Sequence, residues 1–251
     1  MAEKPIRTFF TDELECRSYA DRSYKRSLNA DEISARQGED TGYVPPPPAF
    51  KRLWNEAACL ELVRSRTDVP VPEVLEAYEE NGSFILVQKR VPGIPMCRVP
   101  EGARAAVMDE VQAHMDALHT LRSDTIGGPL GFVCPPRRAM LGAPPALHLE
   151  EWPPLTAAGP DFVFCHNTLS TQNILIDEDA PKVAAIFGWQ YAGFWPDFFD
   201  APFFRDPRPS SVQSAHIPAE NARLLRFFLD EILQQGLQTT GESLCRTPGP
   251  C

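Results

Sequence analysis

Three short apolar runs lie close together in the second half of the chain and constrain its fold more than any other feature. They occupy residues 161–165, 173–177 and 182–187. Runs of this length, bounded by polar and turn-forming residues, are typical of buried β-strands. The segment therefore predicts the order strand, loop, strand, short turn, strand.

The first part of the chain predicts a small sheet. Mixed runs at 6–10 and 23–28 indicate strands. Two further strand patterns, at 74–78 and 83–88, flank Asn81-Gly82. Asn-Gly between two such runs is the strongest short-range signal for a β-hairpin. We therefore expect an antiparallel hairpin that turns at residues 81 and 82.

Apolar residues at helical spacing predict helices over 51–66, 101–122 and 220–235. The chain also contains 26 prolines among 251 residues, about twice the usual share. The run Pro45-Pro46-Pro47-Pro48 must be extended, either as a rigid loop within the fold or as a ligand for an aromatic groove. Further prolines between 129 and 154 predict a long irregular loop.

The composition limits the possible partners and the location of the protein. There are 34 acidic and 24 basic side chains, a formal net charge of −10, which argues against nucleic acid because each phosphate calls for Lys or Arg. The seven cysteines form no CxxC pair, which favours a reducing compartment. Neither a signal peptide nor an apolar run of about 20 residues is present. We expect a cytoplasmic protein that does not use a membrane.

Residues 164–177 and 185–196 carry a specific pattern. They read FCHNTLSTQNILID and AIFGWQYAGFWP, at the places of the motifs H-x-D-x-x-x-x-N and I-I-D-W-E. On these residues the chain resembles the aminoglycoside phosphotransferase-like family of the protein-kinase-like fold, in particular a fungal-type branch. Shorter matches in the same order, including Pro92-Gly93 and Leu118-His119-Thr120-Leu121, extend the resemblance over about residues 20–235.

The resemblance implies an α+β fold of two lobes with a reduced N-lobe. Residues 1–92 would form the N-lobe, with a small sheet and the helix that carries Glu56. Residues 93–237 would form a helical C-lobe with the catalytic-loop-like segment, and 238–251 a flexible tail.

The same resemblance implies that the family's chemistry is lost at two positions. In a kinase, a loop aspartate accepts the substrate proton, while the loop asparagine and a second aspartate hold magnesium. The chain retains His166 and Asn173. Thr168 stands at the base position, however, Gly188 at the metal position, and Gln190 where an acid usually follows the tryptophan. We therefore expect crippled phosphotransfer, weak or absent binding of ATP and magnesium, and no metal site.

The cofactor-binding residues implied by the resemblance are Lys25, Glu56 and Gly188. No G-x-G-x-x-G pattern occurs before residue 60. Glu56 resembles the helix glutamate of a kinase, and Lys25 is the first candidate for its lysine partner, with Lys51 second. Either lysine has a solvated surface charge as its alternative role.

The residues that follow the metal position are candidates for a substrate pocket. Four of them are aromatic, and we expect these side chains either to pack in the core or to line an apolar pocket for an aromatic ligand: Trp189, Tyr191, Phe194 and Trp195. Asp197 and Asp200 lie where the family flanks its acceptor site, and would either meet a cationic ligand or remain solvated.

Two hypotheses about function follow. The first is a pseudo-phosphotransferase, a kinase-like cleft that binds a small molecule without transferring phosphate. The second is an enzyme repurposed for cyclisation, isomerisation or addition in secondary metabolism, with Thr168, His166, Asn173 and Gln190 as its catalytic hydrogen-bonding groups. His166 has a structural role in the loop as its alternative. An atypical ATP-dependent phosphotransferase is the third possibility, and it requires metal ligands that the sequence does not show.

Overall fold

A five-stranded antiparallel sheet forms the first part of the molecule. The computed structural model describes residues 3–36, 49–141, 155–157, 159 and 161–232. The strands pair in the order β1-β2-β3-β5-β4 and are β1 (Arg7–Phe10), β2 (Leu14–Ser18), β3 (Arg22–Ser27), β4 (Val74–Glu80) and β5 (Ser83–Lys89). The expected hairpin joins β4 to β5, and the φ angles of Asn81 and Gly82 are +50° and +73°. Both values suit the residue types that tolerate positive φ.

Strand β2 was not predicted, although its sequence alternates apolar residues with charges as half-buried strands do. Leu14 and Cys16 are buried against the core, whereas Glu15 accepts hydrogen bonds from Arg17 at 2.6 Å and from Arg26 of β3 at 3.0 Å. The ion pairs with Arg17 and Arg26 offset the cost of burying Glu15.

Two helices accompany this sheet. Helix α1 (Ala30–Arg36) lies where only a polar loop was expected, and a capping box begins it. The Asn29 Oδ1 accepts from the Glu32 amide at 3.0 Å, and a Glu32 carboxylate oxygen accepts from the Asn29 amide at 2.9 Å. Helix α2 (Ala49–Arg66) packs Leu53, Leu60 and Val63 into the core.

The second part contains two three-stranded sheets and further helices. One sheet has the order β10-β9-β6 and the other β11-β8-β7. The strands are β6 (Ile94–Pro95), β7 (Arg122–Ser123), β8 (Phe162–Cys165), β9 (Ile174–Ile176), β10 (Val183–Ile186) and β11 (Gly193–Trp195). The helices are α3 (Glu101–Leu118), α4 (Ser210–Ser214) and α5 (Pro218–Phe227). The mixed α+β architecture and the predicted strand-loop-strand-turn-strand segment are confirmed.

The ends of two helices and one strand of the second part differ from the sequence prediction. Helix α3 ends at Leu118 rather than at 122, because Arg122 already pairs with Val163 in a sheet. Strand β11 was not expected, and it pairs with β8 through residues interpreted as a possible pocket. Helix α5 begins at Pro218 rather than at 220, and it continues as a π-helical turn over Phe228–Ile232. The proline run 45–48, the end of the predicted last helix at 233–235 and the tail 238–251 lie outside the described residues.

The described helices do not include one with the length and apolar character that crossing a bilayer requires.

Candidate functional site

A cleft of about 600 Å³ lies between the five-stranded sheet and strand β9. Lys25 of β3 and Gln88 of β5 line one side, and Leu175 of β9 and Phe187 line the other. This volume lies within the range of small-molecule sites. Glu178 is the sole carboxylate among the described residues that line it.

Lys25 and Glu56 form an ion pair beside this cleft. The Lys25 Nζ lies 2.6 Å from the Glu56 Oε1, and the Glu56 side chain is fully buried. The structure thus pairs Glu56 with the first of the two lysine candidates, across β3 and α2. The other carboxylate oxygen of Glu56 has no hydrogen-bond partner among the described residues. Removing the cation beside a buried carboxylate strongly destabilises a fold, so the stability of this region depends on Lys25.

The turn between β1 and β2 contains no glycine, and several of its polar groups are hydrogen-bonded within the protein. The Thr11 Oγ1 accepts from the amides of Glu13 at 3.4 Å and Leu14 at 3.0 Å. The Glu13 carboxylate pairs with Arg52 of α2 at 2.6 Å. A glycine-rich loop would offer free amides to phosphate groups, whereas this turn uses the amides of residues 13 and 14 for its own structure.

His166 opens the loop between β8 and β9 and is completely buried. Its Nε2 lies 3.2 Å from the Phe187 carbonyl, and its Nδ1 lies 3.3 Å from both the amide and the hydroxyl of Thr168. An Nε2-protonated ring satisfies all three contacts. Burial lowers the pKa of His166, so the ring is neutral. These contacts give His166 a structural part in the loop and occupy the Thr168 hydroxyl.

Asn173 lies directly against Gly188. Asn173 Oδ1 accepts from the Ser170 hydroxyl at 2.9 Å, and a Cβ added to Gly188 would lie 2.5 Å from Asn173 Nδ2. Gly188 has a φ of +87° between β10 and the following 3-10 turn. Magnesium requires oxygen ligands in octahedral geometry. Gly188 supplies no side-chain oxygen and the amide oxygen of Asn173 is engaged, so these residues do not fit the ion.

Asp200 stabilises the start of the loop between β8 and β9 through hydrogen bonds to its backbone. Its Oδ1 accepts from the Asn167 amide at 3.0 Å, and its Oδ2 accepts from the His166 amide at 3.3 Å. His119 approaches the same Oδ2 at 3.1 Å. This side chain is fully buried, so the expectation that Asp200 meets a cationic ligand or stays solvated is wrong. Asp197 is exposed, in agreement with the solvated alternative.

His119, Cys165 and Asp200 place three possible metal-ligating atoms within 4.8 Å of one another. A metal would need the Cys165 thiolate. Burial raises the pKa of that thiol well above its usual value, with Asp200 and Asp197 acting in the same direction. Both oxygens of Asp200 already accept hydrogen bonds. The contacts of this cluster are those of a structural support.

A second cavity, of about 380 Å³, opens at Thr168. Asn167, Thr168 and Tyr191 lie on one side, and the Asn167 Nδ2 donates to the Tyr191 carbonyl at 2.6 Å. Arg137 and Arg138 also line it. The cavity was not located from the sequence; the adjacent arginines after Pro135-Pro136 are its most visible sequence signal, and they lie far from the loop motif along the chain.

Some of the predicted pocket and catalytic residues line a cavity, and others do not. Tyr191 lines the Thr168 cavity, whereas Trp189 and Trp195 are fully buried core residues and Phe194 is partly buried and packs against the core. For the two tryptophans the core-packing alternative is correct, because their rings stack on Phe164 and on Phe199. Gln190 contributes its backbone carbonyl to the side chain of Asn55 at 3.2 Å. Its side chain lines neither cavity.

The sequence matches that of the phosphotransferase enzyme family over residues 18–201. None of the curated proteins compared with the chain matches its sequence.

Several solved structures have the same fold at low sequence identity. Aminoglycoside phosphotransferase APH(3'')-Id from Streptomyces rimosus is 15% identical, with a TM-score of 0.54 over 87% of this chain and 85% of its own. A thermostable mutant of aminoglycoside phosphotransferase APH(4)-Ia is 16% identical, with a TM-score of 0.51 over 91% and 85%. A mutant of the aminoglycoside 2'-phosphotransferase IIIa in complex with GDP is 11% identical, with a TM-score of 0.52 over 90% and 82%. At these identities the likeness concerns the fold.

Proposed function

The chain belongs to the phosphotransferase enzyme family, and from this premise we propose that it is a pseudo-phosphotransferase. Its kinase-like scaffold binds a small molecule without transferring a phosphoryl group. The contact between Asn173 and Gly188 is the observation that carries this proposal, because position 188 offers no carboxylate and the asparagine amide lies where a side chain at that position would begin.

The loss of the general base supports the same conclusion. Thr168 lies at the base position, and its hydroxyl is hydrogen-bonded to the neutral ring of His166. A hydroxyl does not accept a proton from a substrate alcohol near neutral pH. A missing general base lowers the rate by about 10²–10⁴-fold, and a missing metal costs several kcal/mol more of transition-state stabilisation.

Binding without chemistry is favoured over a repurposed enzyme by the groups around the Thr168 cavity. Among the described lining residues, the acid–base candidates are hydroxyls and two arginines. Burial raises the pKa of Tyr191 above its ordinary value, which moves this phenol further from neutrality. Cyclisation, isomerisation or addition would call for a proton-transfer group with a pKa near the working pH. A role in secondary metabolism and a fungal-type origin stay predictions.

Two structures with the same fold hold a nucleotide together with a second small molecule. One holds ADP and streptomycin, and another AMP-PNP and hygromycin B. We assign the small-molecule ligand of this chain to the cavity at Thr168. The cleft beside Lys25 takes nucleotide weakly and without help from magnesium, because the amides of Glu13 and Leu14 are occupied.

ATP turnover by the full chain tests the proposal. The protein is incubated with radiolabelled ATP and magnesium, beside a Thr168→Asp/Gly188→Asp double variant and a protein-free blank. We expect neither protein to release phosphate above the blank. Turnover by the unaltered chain, abolished in a Lys25→Ala variant that circular dichroism shows to be folded, would establish an atypical phosphotransferase instead.

A further inference from the structure

The cavity at Thr168 presents two guanidinium groups. Arg137 is exposed at its rim, whereas Arg138 is only 5% exposed. The Arg138 Nη2 donates to the Phe199 carbonyl, but its Nε has no hydrogen-bond partner among the described residues. A buried guanidinium whose hydrogen-bonding capacity is not filled is costly, so an anion in the cavity that Arg138 lines would be stabilised by its charge.

Arg138 keeps its charge despite this burial. Desolvation lowers its pKa to about 10, and Asp200 and Glu220 oppose that effect through space. The oxygens of Asp200 are taken by loop amides and His119, and Glu220 is exposed at the start of α5. The guanidinium carbon lies 5.2 Å from the centre of the Phe203 ring, which also lines the cavity.

The remaining lining completes a site for one kind of ligand. Ser210 and Ser211 add hydroxyl donors, while Pro136, Leu141 and Phe203 add apolar surface. The described lining residues include no carboxylate. We infer that the cavity binds a small organic anion with an apolar body, its carboxylate or similar group at Arg137 and Arg138 and its body against the apolar residues. This inference rests on the proposed function and names the ligand class of its cavity.

The charge of the cavity also selects against cations. A basic ligand such as the streptomycin of one relative would meet two guanidinium groups without a carboxylate among the described lining residues. Like charges brought together in a partly buried site cost affinity. The ligand of this chain therefore has the opposite charge from a basic aminoglycoside.

Three probes of similar size test the charge preference. They are 3-(4-hydroxyphenyl)propionate, its neutral amide, and tyramine, which is cationic; each is titrated into the full chain and followed by calorimetry or ligand-observed NMR, without nucleotide. We expect the carboxylate to bind at least 10-fold more tightly than the amide and tyramine to bind more weakly than the amide. Equal affinities, tighter binding of tyramine, or no binding of the carboxylate would overturn the inference.

Variants connect the preference to the arginines. Arg137→Ala is expected to weaken carboxylate binding about 5-fold and Arg138→Lys about 10-fold, with little effect on the amide. Arg66→Ala removes an exposed arginine at the end of α2 and serves as the matched control. Carboxylate binding that is unchanged in folded Arg137→Ala and Arg138→Lys proteins would refute the assignment. ATP turnover together with carboxylate binding would refute the proposed function alone.

Discussion

Asn173 fills the space that a side chain at position 188 would need. A Cβ on Gly188 would lie 2.5 Å from the Asn173 Nδ2, closer than real Cβ atoms approach. The asparagine is held there by Ser170, which donates to its Oδ1 at 2.9 Å. The two positions that the resemblance to a kinase assigns to metal binding are thus in tight contact with each other, and we expect that an acid at position 188 alone does not create a metal site.

Gly188→Asp is expected to destabilise the protein by about 1–3 kcal/mol, because the new side chain clashes with Asn173 and is placed on a backbone with positive φ. Chemical denaturation measures the change in unfolding free energy. Gly102→Asp is the matched control, since a Cβ there meets nothing within 4 Å and the residue lies in the first turn of α3. A Gly188→Asp protein as stable as the control would show that Asn173 moves aside at little cost.

Asp200→Ala is expected to lower the unfolding free energy by about 3–5 kcal/mol, because it leaves His119 and two loop amides without their buried partner. Asp197→Asn, at an exposed position three residues away, should change stability by less than about 0.5 kcal/mol. Urea denaturation at neutral pH compares the two. Similar losses in both variants would argue that Asp200 does not support the loop.

The pair of His119 and Asp200 predicts a pH-dependent contribution to stability. The hydrogen bond to Asp200 raises the pKa of His119 above its ordinary value. Stabilisation by the pair is therefore complete below the unfolded-state pKa of about 6.5 and is lost as the pH rises through the higher folded-state value. We expect His119→Gln to cost about 1 kcal/mol at pH 6 and less at pH 8.5.

The difference in unfolding free energy between the unaltered chain and His119→Gln, measured by urea denaturation at both pH values, isolates this effect. Burial lowers the pKa of His166, which removes stability as the pH falls, the opposite sign. Both proteins share that contribution. A cost of the His119 substitution that grows with pH would contradict the assignment.

Lys25→Met is expected to destabilise the chain by about 3–5 kcal/mol, because it leaves the fully buried Glu56 without its cation. Adding Glu56→Leu should recover a large part of that loss. Lys89→Met, which removes a 63% exposed lysine lining the same cleft, should change stability by less than about 0.5 kcal/mol. Thermal denaturation of the four proteins gives the comparison. No recovery in the double variant would exclude a pair-specific effect.

Local patterns predicted the architecture well where one physical signal dominated. The Asn81-Gly82 hairpin and the strand-loop-strand segment depend on neighbouring residues, and both are present. Helix α1 has too few apolar residues for a helical pattern, and its sequence signal is the spacing of Asn29 and Glu32, which form a capping box. The burial of Glu15 in strand β2 depends on Arg26 of another strand, which the local pattern does not contain.

The candidate site was predictable only in part for the same reason. The motif spacing located Thr168, Asn173 and Gly188, but not what surrounds them. The sequence around Asp200 does not distinguish it from other loop carboxylates, because its partner His119 lies 81 positions away in the chain. Arg138 lies 30 residues before Thr168 in the sequence, so its place in the cavity depends on tertiary packing.

The affinity of the full chain for ATP, measured by calorimetric titration with and without magnesium, tests the central claim most directly. Because Gly188 offers no ligand and the Asn173 oxygen is engaged, we predict weak or undetectable binding whose affinity magnesium does not improve. Tight binding that requires magnesium would contradict the account and show that the chain still assembles a metal-dependent phosphotransfer site.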